Sequence, residues 1–306
     1  MGRALQRTAI YVVLGLWLVA VVLPLGWVFV NSLRSSQEFV ANPFGLPWLF
    51  TGGPEGHARA EAWQQAKANY AKAWVESHFS SFFVNSVIVT GCSLVGIILI
   101  SAMAAYVLAR FRFRGGRALF LYFISGMMIP AQLVLVPLFF QFTWLSRAGS
   151  RLLAPFGLEL RLHDSLSGLI LIYVALSLPF TILVLTGFFK TLPGELREAG
   201  IIDGCSEYGV FWRIMFPLAR PGIVTAAIFN FIGLWNEYLF ALVFVSSAAK
   251  KTLPLGLASV SMQSQYKTDF GLMFAALVIV IIPTLAVYML LQRQLTSGIT
   301  TGALKG

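Results

Sequence analysis

Long apolar runs without charged residues dominate the sequence and restrict what the chain can fold into. Crossing the roughly 30 Å hydrocarbon layer of a bilayer takes about 20 apolar residues in a helix. Six runs have this length, and they are 9–30, 82–109, 118–146, 165–189, 221–249 with one acid at Glu237, and 270–292. Lipid offers the backbone no hydrogen-bond partners, and the runs lack the alternation of barrel strands. The sequence therefore predicts an all-α polytopic membrane protein with six transmembrane helices.

The composition excludes an ordinary soluble protein. Charged residues make up 11% of the chain and hydrophobic residues 58%, whereas soluble domains carry roughly 25% charged residues. In a soluble protein, the net charge of +10 would favour a nucleic-acid partner. In a membrane protein, basic residues first set topology and contact anionic lipid head groups. We therefore expect membrane lipid, and no nucleic acid, as a partner.

An arginine cluster predicts the orientation in the membrane. Segment 110–117 lies between the second and third runs and holds four arginines and no acid. The positive-inside rule assigns such a segment to the cytoplasm, and with six spans both termini are then cytoplasmic. The first run is longer than the core of a signal peptide and is not followed by a small-residue cleavage site, so we interpret it as a retained helix.

The longest polar stretch, 31–81, follows the first run and is expected on the outer side. Its early part is rich in proline and glycine and indicates a loop, whereas 58–76 has a helix-forming composition. In this helix Trp63, Tyr70 and Trp74 are spaced for one face. Two alternatives stay open: a helix lying in the membrane interface, and a helix packed on its own protein.

The loop 190–220, between the fourth and fifth runs, has the pattern of two short amphipathic helices. Pro193 suits a first helical turn and Gly204 a left-handed helix end. Ser206 suits the N-cap of a second helix that runs to Pro217. Such a pair forms a compact projection into the cytoplasm. On the residues alone, a helical hairpin lying on its own bundle is the alternative.

This loop resembles the EAA signature of the membrane subunits of binding-protein-dependent ABC importers, E-A-A-x3-G-x9-I-x-L-P. The matching residues are Glu198, Ala199, Gly200, Gly204, Ile214 and Pro217, with Gly200 in place of an alanine and Phe216 in place of the leucine. Further segments are similar to the carbohydrate-uptake branch, especially the second permease of maltose-type systems. They are 103–115, 129–132, 202–207, 231–237, 252–257 and 298–306.

The resemblance implies a type I ABC importer (MetI-like) permease fold in a bacterial or archaeal inner membrane. It implies uptake of a mono-, di- or oligosaccharide, or alternatively of a sugar-like solute such as a polyol or glycerol phosphate. Segment 1–78 is then an N-terminal helix with an extracytoplasmic part, 79–293 the permease domain and 294–306 a cytoplasmic tail. The outer segment is longer than in most family members, so we interpret 51–66 as an insertion.

By the same resemblance, the loop is the coupling helix that docks on a cytoplasmic ATPase subunit. The residues expected to make this contact are Glu198, Ala199, Gly200, Asp203, Gly204, Ile214 and Pro217. Expected partners are a second permease in a heterodimer, two copies of the ATPase subunit and an extracytoplasmic solute-binding protein. The chain has no G-x4-G-K-[ST] motif, so it is predicted to bind no cofactor and to be no enzyme. ATP and Mg are used by the partner ATPase.

Polar residues in the fifth run are candidates for the solute pathway. Glu237 is the only ionisable residue inside a run, and its distance along the helix from Pro221, about 24 Å, places it near the outer mouth. The residues predicted to line the upper pathway or its gate are Asn230, Trp235, Asn236, Glu237 and Gln132, and Gln141 and Asn85 are further candidates. Hydrogen bonding between helices is the alternative role.

The other chemically distinctive residues are interpreted as structural. Tyr122 and Tyr173 are expected to be packing or interface anchors. The two cysteines, Cys92 and Cys205, are far apart in different contexts, so neither a disulfide nor a metal site is predicted. The three histidines, His57, His78 and His163, are scattered without ligand spacing.

Two other classes of membrane protein compete with the importer. An ion-coupled secondary transporter usually carries coupling-ion carboxylates or a repeat of broken helices, whereas this chain has one peripheral acid and no clear duplication. A membrane enzyme needs a cluster of reactive side chains converging from neighbouring spans, and the runs contain no such set.

Overall fold

The computed structural model describes residues 2–52, 59–157, 159–267 and 269–303, and within these ranges the chain is helical without a β-strand. The predicted all-α fold is confirmed. His57, part of the predicted insertion 51–66 and the last three residues of the predicted tail lie outside these ranges.

The α-helices follow one another as α1 (Gly2–Ser32), α2 (Ser36–Ala41), α3 (Trp48–Thr51), α4 (Arg59–Ala71), α5 (Phe79–Arg110), α6 (Gly116–Met128), α7 (Leu135–Leu153), α8 (Leu166–Thr191), α9 (Glu195–Ile202), α10 (Glu207–Val210), α11 (Phe216–Leu218), α12 (Arg220–Trp235), α13 (Leu239–Phe244), α14 (Leu253–Lys267) and α15 (Phe270–Ala303). Short 3₁₀-helices lie at Ala131–Val134, Ala154–Phe156 and Ala248–Lys250, and π-helical turns at Lys72–Glu76 and Phe211–Met215.

Four stretches within the described ranges are single helices long and apolar enough to cross a membrane. They are Gln6–Ser32, Phe79–Arg110, Leu166–Thr191 and Phe270–Leu290. Two further candidates are pairs of helices bent by 89° and 71°, Gly116–Met128 with Ala131–Phe156 and Glu207–Leu218 with Arg220–Trp235. By length and composition, the predicted number of six spans is reached when each bent pair contributes one span.

The third run, 118–146, is broken rather than continuous as predicted. Helix α6 ends at Met128, and Ile129 (φ −88°, ψ 118°) and Pro130 (φ −56°, ψ 124°) leave the helical region. A proline disfavours the helical conformation of the residue before it and donates no backbone hydrogen bond. The Ile129-Pro130 pair therefore ends one helix and redirects the chain into the next.

The fifth run, 221–249, also differs from the predicted continuous helix. Helix α12 ends at Trp235, and six residues of α13 follow after a turn. Glu237 lies in that turn, where its carboxylate accepts hydrogen bonds from the backbone N–H groups of Phe240 (2.8 Å) and Ala241 (3.2 Å). Glu237 thus lies at a break within the predicted run rather than in a continuous helix, and its side chain caps the helix that follows.

The chain divides into two compact units. One unit comprises Met1–Ser80 and Gly256–Pro283, and the other comprises Ser81–Leu255 and Thr284–Gly306. The loop 190–220, called the coupling-type loop below, and the polar residues of the fifth run both belong to the second unit.

In the first unit, the segment after α1 is organised around a buried arginine. Arg34 pairs with Glu38 at 3.2 Å and donates hydrogen bonds to the carbonyl oxygens of Glu38 (2.9 Å) and Asn42 (2.8 Å) and to Oδ1 of Asn31 (2.9 Å). Glu38 in turn accepts a hydrogen bond from the backbone N–H of Trp48 at 2.5 Å. These contacts fix a stretch that the sequence presents as an irregular loop.

Helix α4 packs on its own unit, as in the second of the two alternatives for this segment. Its buried residues are Ala66 and Asn69, and Asn69 donates hydrogen bonds to the backbone carbonyls of Ser32 (3.0 Å) and Arg34 (2.8 Å). Trp63 is exposed. Trp74 is exposed as well, so a small side chain and an amide, and not the two tryptophans, make the buried contact.

Replacing Arg34 with alanine is expected to destabilise this segment by on the order of 3 kcal/mol, because it leaves the carboxylate of Glu38 buried without its partner. The measurement is limited proteolysis of the detergent-solubilised chain, with cleavage expected to increase between residues 31 and 52. Arg59→Ala, which removes an exposed arginine, is the control and keeps wild-type resistance. Equal resistance of Arg34→Ala and Arg59→Ala contradicts the prediction.

Candidate functional site

The loop that follows α8 consists of two helical segments joined at a glycine. Helix α9 ends at Ile202, and Gly204 adopts a left-handed conformation with φ 83°. The hydroxyl of Ser206 accepts a hydrogen bond from the N–H of Gly209 (3.2 Å) and caps the second segment, which continues through the π-helical turn to Leu218. The predicted helix pair, glycine end and serine cap are confirmed.

The start of the first segment differs from the prediction. Helix α9 begins at Glu195, so Pro193 precedes the first turn instead of lying in it. Leu192 is extended (φ −70°, ψ 143°), as the steric restriction on a residue before proline favours. Pro193 thus separates α8 from α9.

The EAA-like residues divide into an exposed set and a packed set. Glu198, Ala199, Asp203, Gly204 and Pro217 are exposed, whereas Gly200 is buried and Ile214 is half-buried. A Cβ atom on Gly200 would lie 2.6 Å from Cδ1 of Ile214 and 3.1 Å from Cγ2 of Val210. Glycine in place of the usual alanine therefore lets α9 approach the second segment closely.

The packed side of the loop rests on the ends of α5 and α8. Tyr106, Phe189, Phe211 and Met215 are buried together in one apolar cluster. Arg110, the last residue of α5, donates hydrogen bonds to the backbone carbonyls of Phe189 (2.7 Å) and Leu192 (2.6 Å). The hairpin thus lies on its own bundle with one side.

The other side of the loop presents apolar side chains to the surroundings. Ile202 and Tyr208 are 84% and 80% exposed, and they flank the Gly204 joint. Glu198 is exposed on the same short helix. An exposed surface that mixes apolar side chains with a carboxylate is suited to a protein contact.

A polar contact that the sequence does not predict ties the two segments of the loop together. Arg197 pairs with both carboxylate oxygens of Glu207, and the hydroxyl of Tyr106 donates to the same carboxylate at 3.2 Å. The Arg197 guanidinium also lies over the ring of Phe111, 4.9 Å from its centre. The hydrogen bond to Glu207 raises the pKa of Arg197, so this side chain is cationic at any physiological pH. The sequence shows only opposite charges ten residues apart, which does not predict their contact.

A second polar site lies between α8 and α12. Tyr173 donates a hydrogen bond to Glu237 at 2.5 Å, and Asn230 donates to the hydroxyl of Thr181 at 2.9 Å and to the carbonyl of Ala226 at 2.8 Å. Tyr173, Asn230 and Glu237 line a crevice of about 200 Å³. Ser177, Phe180 and Phe229 also line it. The crevice combines hydrogen-bonding groups with aromatic walls.

Only two of the five predicted pathway residues, Asn230 and Glu237, line this crevice. Trp235 is buried, and its ring meets that of Phe83 on α5 with ring centres 5.9 Å apart, so it packs between helices. Asn236 is exposed and donates back to the carbonyl of Ile232 (2.8 Å) in its own helix, and Gln132 is exposed in a 3₁₀-helix. Gln132 lies just after the break in the third run, and Asn236 lies at the break in the fifth run.

The further polar candidates lie apart from this crevice. Asn85 donates hydrogen bonds to the backbone carbonyls of Ala249 (2.8 Å) and Lys251 (2.9 Å), and Gln141 is exposed. Tyr173, predicted to be a packing anchor, is buried and is also the hydrogen-bond donor to Glu237. Only the tertiary structure brings Tyr173 to Glu237, since they are 64 residues apart.

Helix α13 is held at its other end by Asp164. The Asp164 carboxylate accepts hydrogen bonds from the N–H groups of Ser246 (3.0 Å) and Ser247 (2.9 Å), from the Ser247 hydroxyl and from the Lys250 ammonium. Its own N–H donates to the carbonyl of Phe244 at 2.9 Å. Burial alone would raise the pKa of Asp164, but these hydrogen bonds outweigh it and hold the pKa well below its usual range.

The remaining reactive side chains are dispersed. Cys92 is exposed and Cys205 half-buried, and both are free thiols. His163 contacts the ring of Phe139, with ring centres 5.0 Å apart. Across the part of the chain that the structure describes, no group of three or more His, Cys, Asp or Glu side chains is arranged to hold a metal ion.

Residues 96–301 match the family model of the binding-protein-dependent transport system inner membrane component. The chain belongs to this family. It is 38% identical to the diacetylchitobiose uptake system permease protein NgcG of Streptomyces coelicolor, over 95% of this chain and 86% of NgcG. It is 34% identical to the sulfoquinovosyl glycerol transport system permease protein SmoH of Agrobacterium fabrum, over 92% of this chain and 88% of SmoH.

The fold also resembles a solved structure. A crystal structure of a bacterial ABC transporter involved in the import of the acidic polysaccharide alginate matches with a TM-score of 0.72 and 20% identity, over 96% of this chain and 97% of that chain. The ABC importer permease fold expected from the EAA-like motif is thereby confirmed. The chain is a membrane-embedded transport subunit and not an enzyme, because ATP hydrolysis in this family is carried out by separate subunits.

Replacing Asp164 with asparagine weakens the hydrogen bonds to residues 246–250. We expect the free energy of unfolding at pH 7 to fall by only about 1–2 kcal/mol, because the Asp164 side chain is partly exposed and solvent screens these contacts. The folded pKa lies below the unfolded value of about 3.9, so the carboxylate stabilises the fold above that pH and loses this effect as the pH falls below it. Thermal unfolding of the detergent-solubilised chain is the measurement.

The difference in unfolding midpoint between wild type and Asp164→Asn is expected to be constant from pH 5 to pH 7 and to shrink toward pH 3, as Asp164 begins to bind a proton in the unfolded wild-type chain but not in the folded one. Glu159→Gln, which alters an exposed ion pair with Arg161, is the control and leaves the midpoint unchanged. If the difference in unfolding midpoint between wild type and Asp164→Asn grows as the pH falls, the lowered pKa of the folded Asp164 is contradicted.

Proposed function

We propose that the chain is the permease subunit of an ATP-driven importer for a carbohydrate. The observation that carries this proposal is the identity of 38% to a diacetylchitobiose uptake permease over 95% of the chain. The similarity to a sulfoquinovosyl glycerol permease supports a sugar or sugar-like solute in the same way. The chemistry of the crevice between α8 and α12 is compatible with such a solute.

In this proposal the loop after α8 docks on the ATPase subunit as a coupling helix. The exposed side of α9 carries Glu198 beside Ile202, and Tyr208 follows on the second segment. Apolar side chains can fill a socket on the partner while the carboxylate pairs with a basic residue there. Asp203, Gly204 and Pro217 are exposed on the same loop, whereas Gly200 and Ile214 hold it together from inside.

The assembly proposed here contains this chain, a second permease, two copies of the ATPase subunit and an extracytoplasmic solute-binding protein. ATP and Mg are bound by the ATPase subunits. The arginines at 110–117 support a cytoplasmic location for the loop after α5, and six spans then place both termini in the cytoplasm. Segment 1–78 then precedes a permease domain at 79–293, and 294–306 is a cytoplasmic tail.

The proposed solute pathway passes the crevice beside α12. Sugars offer hydroxyl groups for hydrogen bonding and apolar ring faces for aromatic contact, and the crevice provides both. Glu237, Asn230 and Ser177 supply polar atoms, and Phe180 and Phe229 supply aromatic walls. Trp235, Asn236 and Gln132 are not among the residues that line the crevice.

The transport reaction is tested in proteoliposomes that contain the complete transporter, with radiolabelled diacetylchitobiose, maltose and glycerol 3-phosphate as probes. Uptake is expected to require internal Mg-ATP and the external binding protein. Glu198→Lys reverses the exposed charge on α9 and is expected to lower binding-protein-stimulated ATP hydrolysis at least about tenfold, the effect of losing one charged interface contact. Uptake by the isolated chain driven by an ion gradient would overturn the importer proposal.

The crevice is tested by truncating one polar group. Asn230→Ala removes an amide that lines the crevice and is expected to lower sugar uptake about fivefold at saturating binding protein, in line with the loss of one or two hydrogen bonds. Asn236→Ala is the matched control, because Asn236 is exposed and bonded within its own helix. Equal uptake by the two variants would remove the crevice from the pathway.

A further inference from the structure

A three-residue contact links the coupling-type loop to a long helix. It consists of Tyr106 on α5, Arg197 on α9 and Glu207 at the start of α10, and we name it the latch. Arg197 reaches both oxygens of the Glu207 carboxylate, with Nε to Oε2 at 3.2 Å, and the Tyr106 hydroxyl meets Oε2 at 3.2 Å. One carboxylate thus connects three helices.

The latch crosses the one left-handed joint of the loop. Gly204, with φ 83°, separates α9 from α10, and a glycine there leaves the backbone free to change direction. The apolar contact of Gly200 with Val210 and Ile214 holds the segments together but does not fix a direction. The two-point contact between a planar guanidinium and a carboxylate does fix one.

The latch also sets the rotation of α9 about its own axis. Successive residues of an α-helix point about 100° apart, since there are 3.6 residues per turn. Arg197 is turned inward by Glu207, and its neighbour Glu198 is therefore turned outward, where it is exposed. The direction of Glu198 depends in this way on a side chain that does not itself face outward.

Tyr106 extends the contact into α5, whose end is tied to α8. Four residues after Tyr106, Arg110 donates hydrogen bonds to the carbonyls of Phe189 and Leu192 at 2.7 and 2.6 Å. The last turn of α5 therefore holds the end of α8 and, through Glu207, also α9 and α10. A displacement of α9 reaches α5 through these side chains without passing along the Gly204 joint.

We propose that Arg197 and Glu207 are positioning residues that hold the coupling helix in a fixed orientation on α5 and transmit its displacement to that helix. This inference rests on the proposed function of the loop as the ATPase contact. Arg197 and Glu207 are 24% and 39% exposed, and a partly exposed ion pair contributes little stability. The role of the pair is thus geometric, and its loss is expected to alter motion more than folding.

The test measures the separation of α9 and α5 in the complete transporter reconstituted in lipid. Cys92 and Cys205 are replaced by alanine, and spin labels are attached at Glu195→Cys on α9 and Met103→Cys on α5. Distances are recorded by pulsed electron paramagnetic resonance without nucleotide and after trapping with Mg-ATP and vanadate. With the latch intact, the distribution of distances is expected to be narrow and to be the same in both states.

Glu207→Gln and Arg197→Gln are expected to broaden the distance distribution and to shift it on trapping. The double variant is expected to be no worse than either single one, because partners in one contact are not additive. Tyr106→Phe, which removes a single hydroxyl, is expected to give a smaller broadening. Arg213→Gln, at an exposed arginine of the same loop, is the control and keeps the wild-type distribution.

Binding-protein-stimulated ATP hydrolysis of the latch variants is expected to fall about threefold, within the range of coupling energies between contacting residues. Wild-type distance distributions in Glu207→Gln and Arg197→Gln, or a shift on trapping with the latch intact, would overturn the latch. If Glu198→Lys lowers stimulated hydrolysis in that case, only the latch fails. If Glu198→Lys leaves hydrolysis unchanged, the proposed coupling role of the loop itself fails.

Discussion

The hydrogen bonding of Glu237 is the interaction on which the membrane part of the second unit depends. A helix that ends in an apolar environment leaves backbone N–H groups without partners, and each unpaired group is costly there. Glu237 supplies acceptors to the first N–H groups of α13 and is itself held by the Tyr173 hydroxyl. The break after α12 is therefore compatible with the membrane, and Glu237 lines the same crevice as Asn230.

The same arrangement recurs at the coupling-type loop. In both places a carboxylate at the start of a short helix accepts a hydrogen bond from a tyrosine on a long helix, Tyr173 for Glu237 and Tyr106 for Glu207. Each pair connects an irregular segment to a rigid span. The crevice and the loop are thus each tied to a long helix through a glutamate of their own.

The local features of the loop could be predicted from the sequence because their causes are local. Gly204 ends α9 through its left-handed backbone, and Ser206 caps the next segment through a hydrogen bond three residues away. The pathway residues could not be predicted as well. Asn230 and Glu237 line the crevice, but Trp235 packs on Phe231 and Asn236 turns outward, because the helix ends between these residues. Hydropathy does not register a break inside an apolar run.

The sequence by itself determined the all-α membrane class, the paired helices of the loop and the family, since run length, cap residues and motif spacing are properties of neighbouring residues. Only the tertiary structure decided which side chains meet. Arg34 with Glu38 is a contact within one turn, but Tyr173 with Glu237 and Tyr106 with Glu207 are 64 and 101 residues apart. Such pairs depend on how the helices pack, and packing depends on the whole chain.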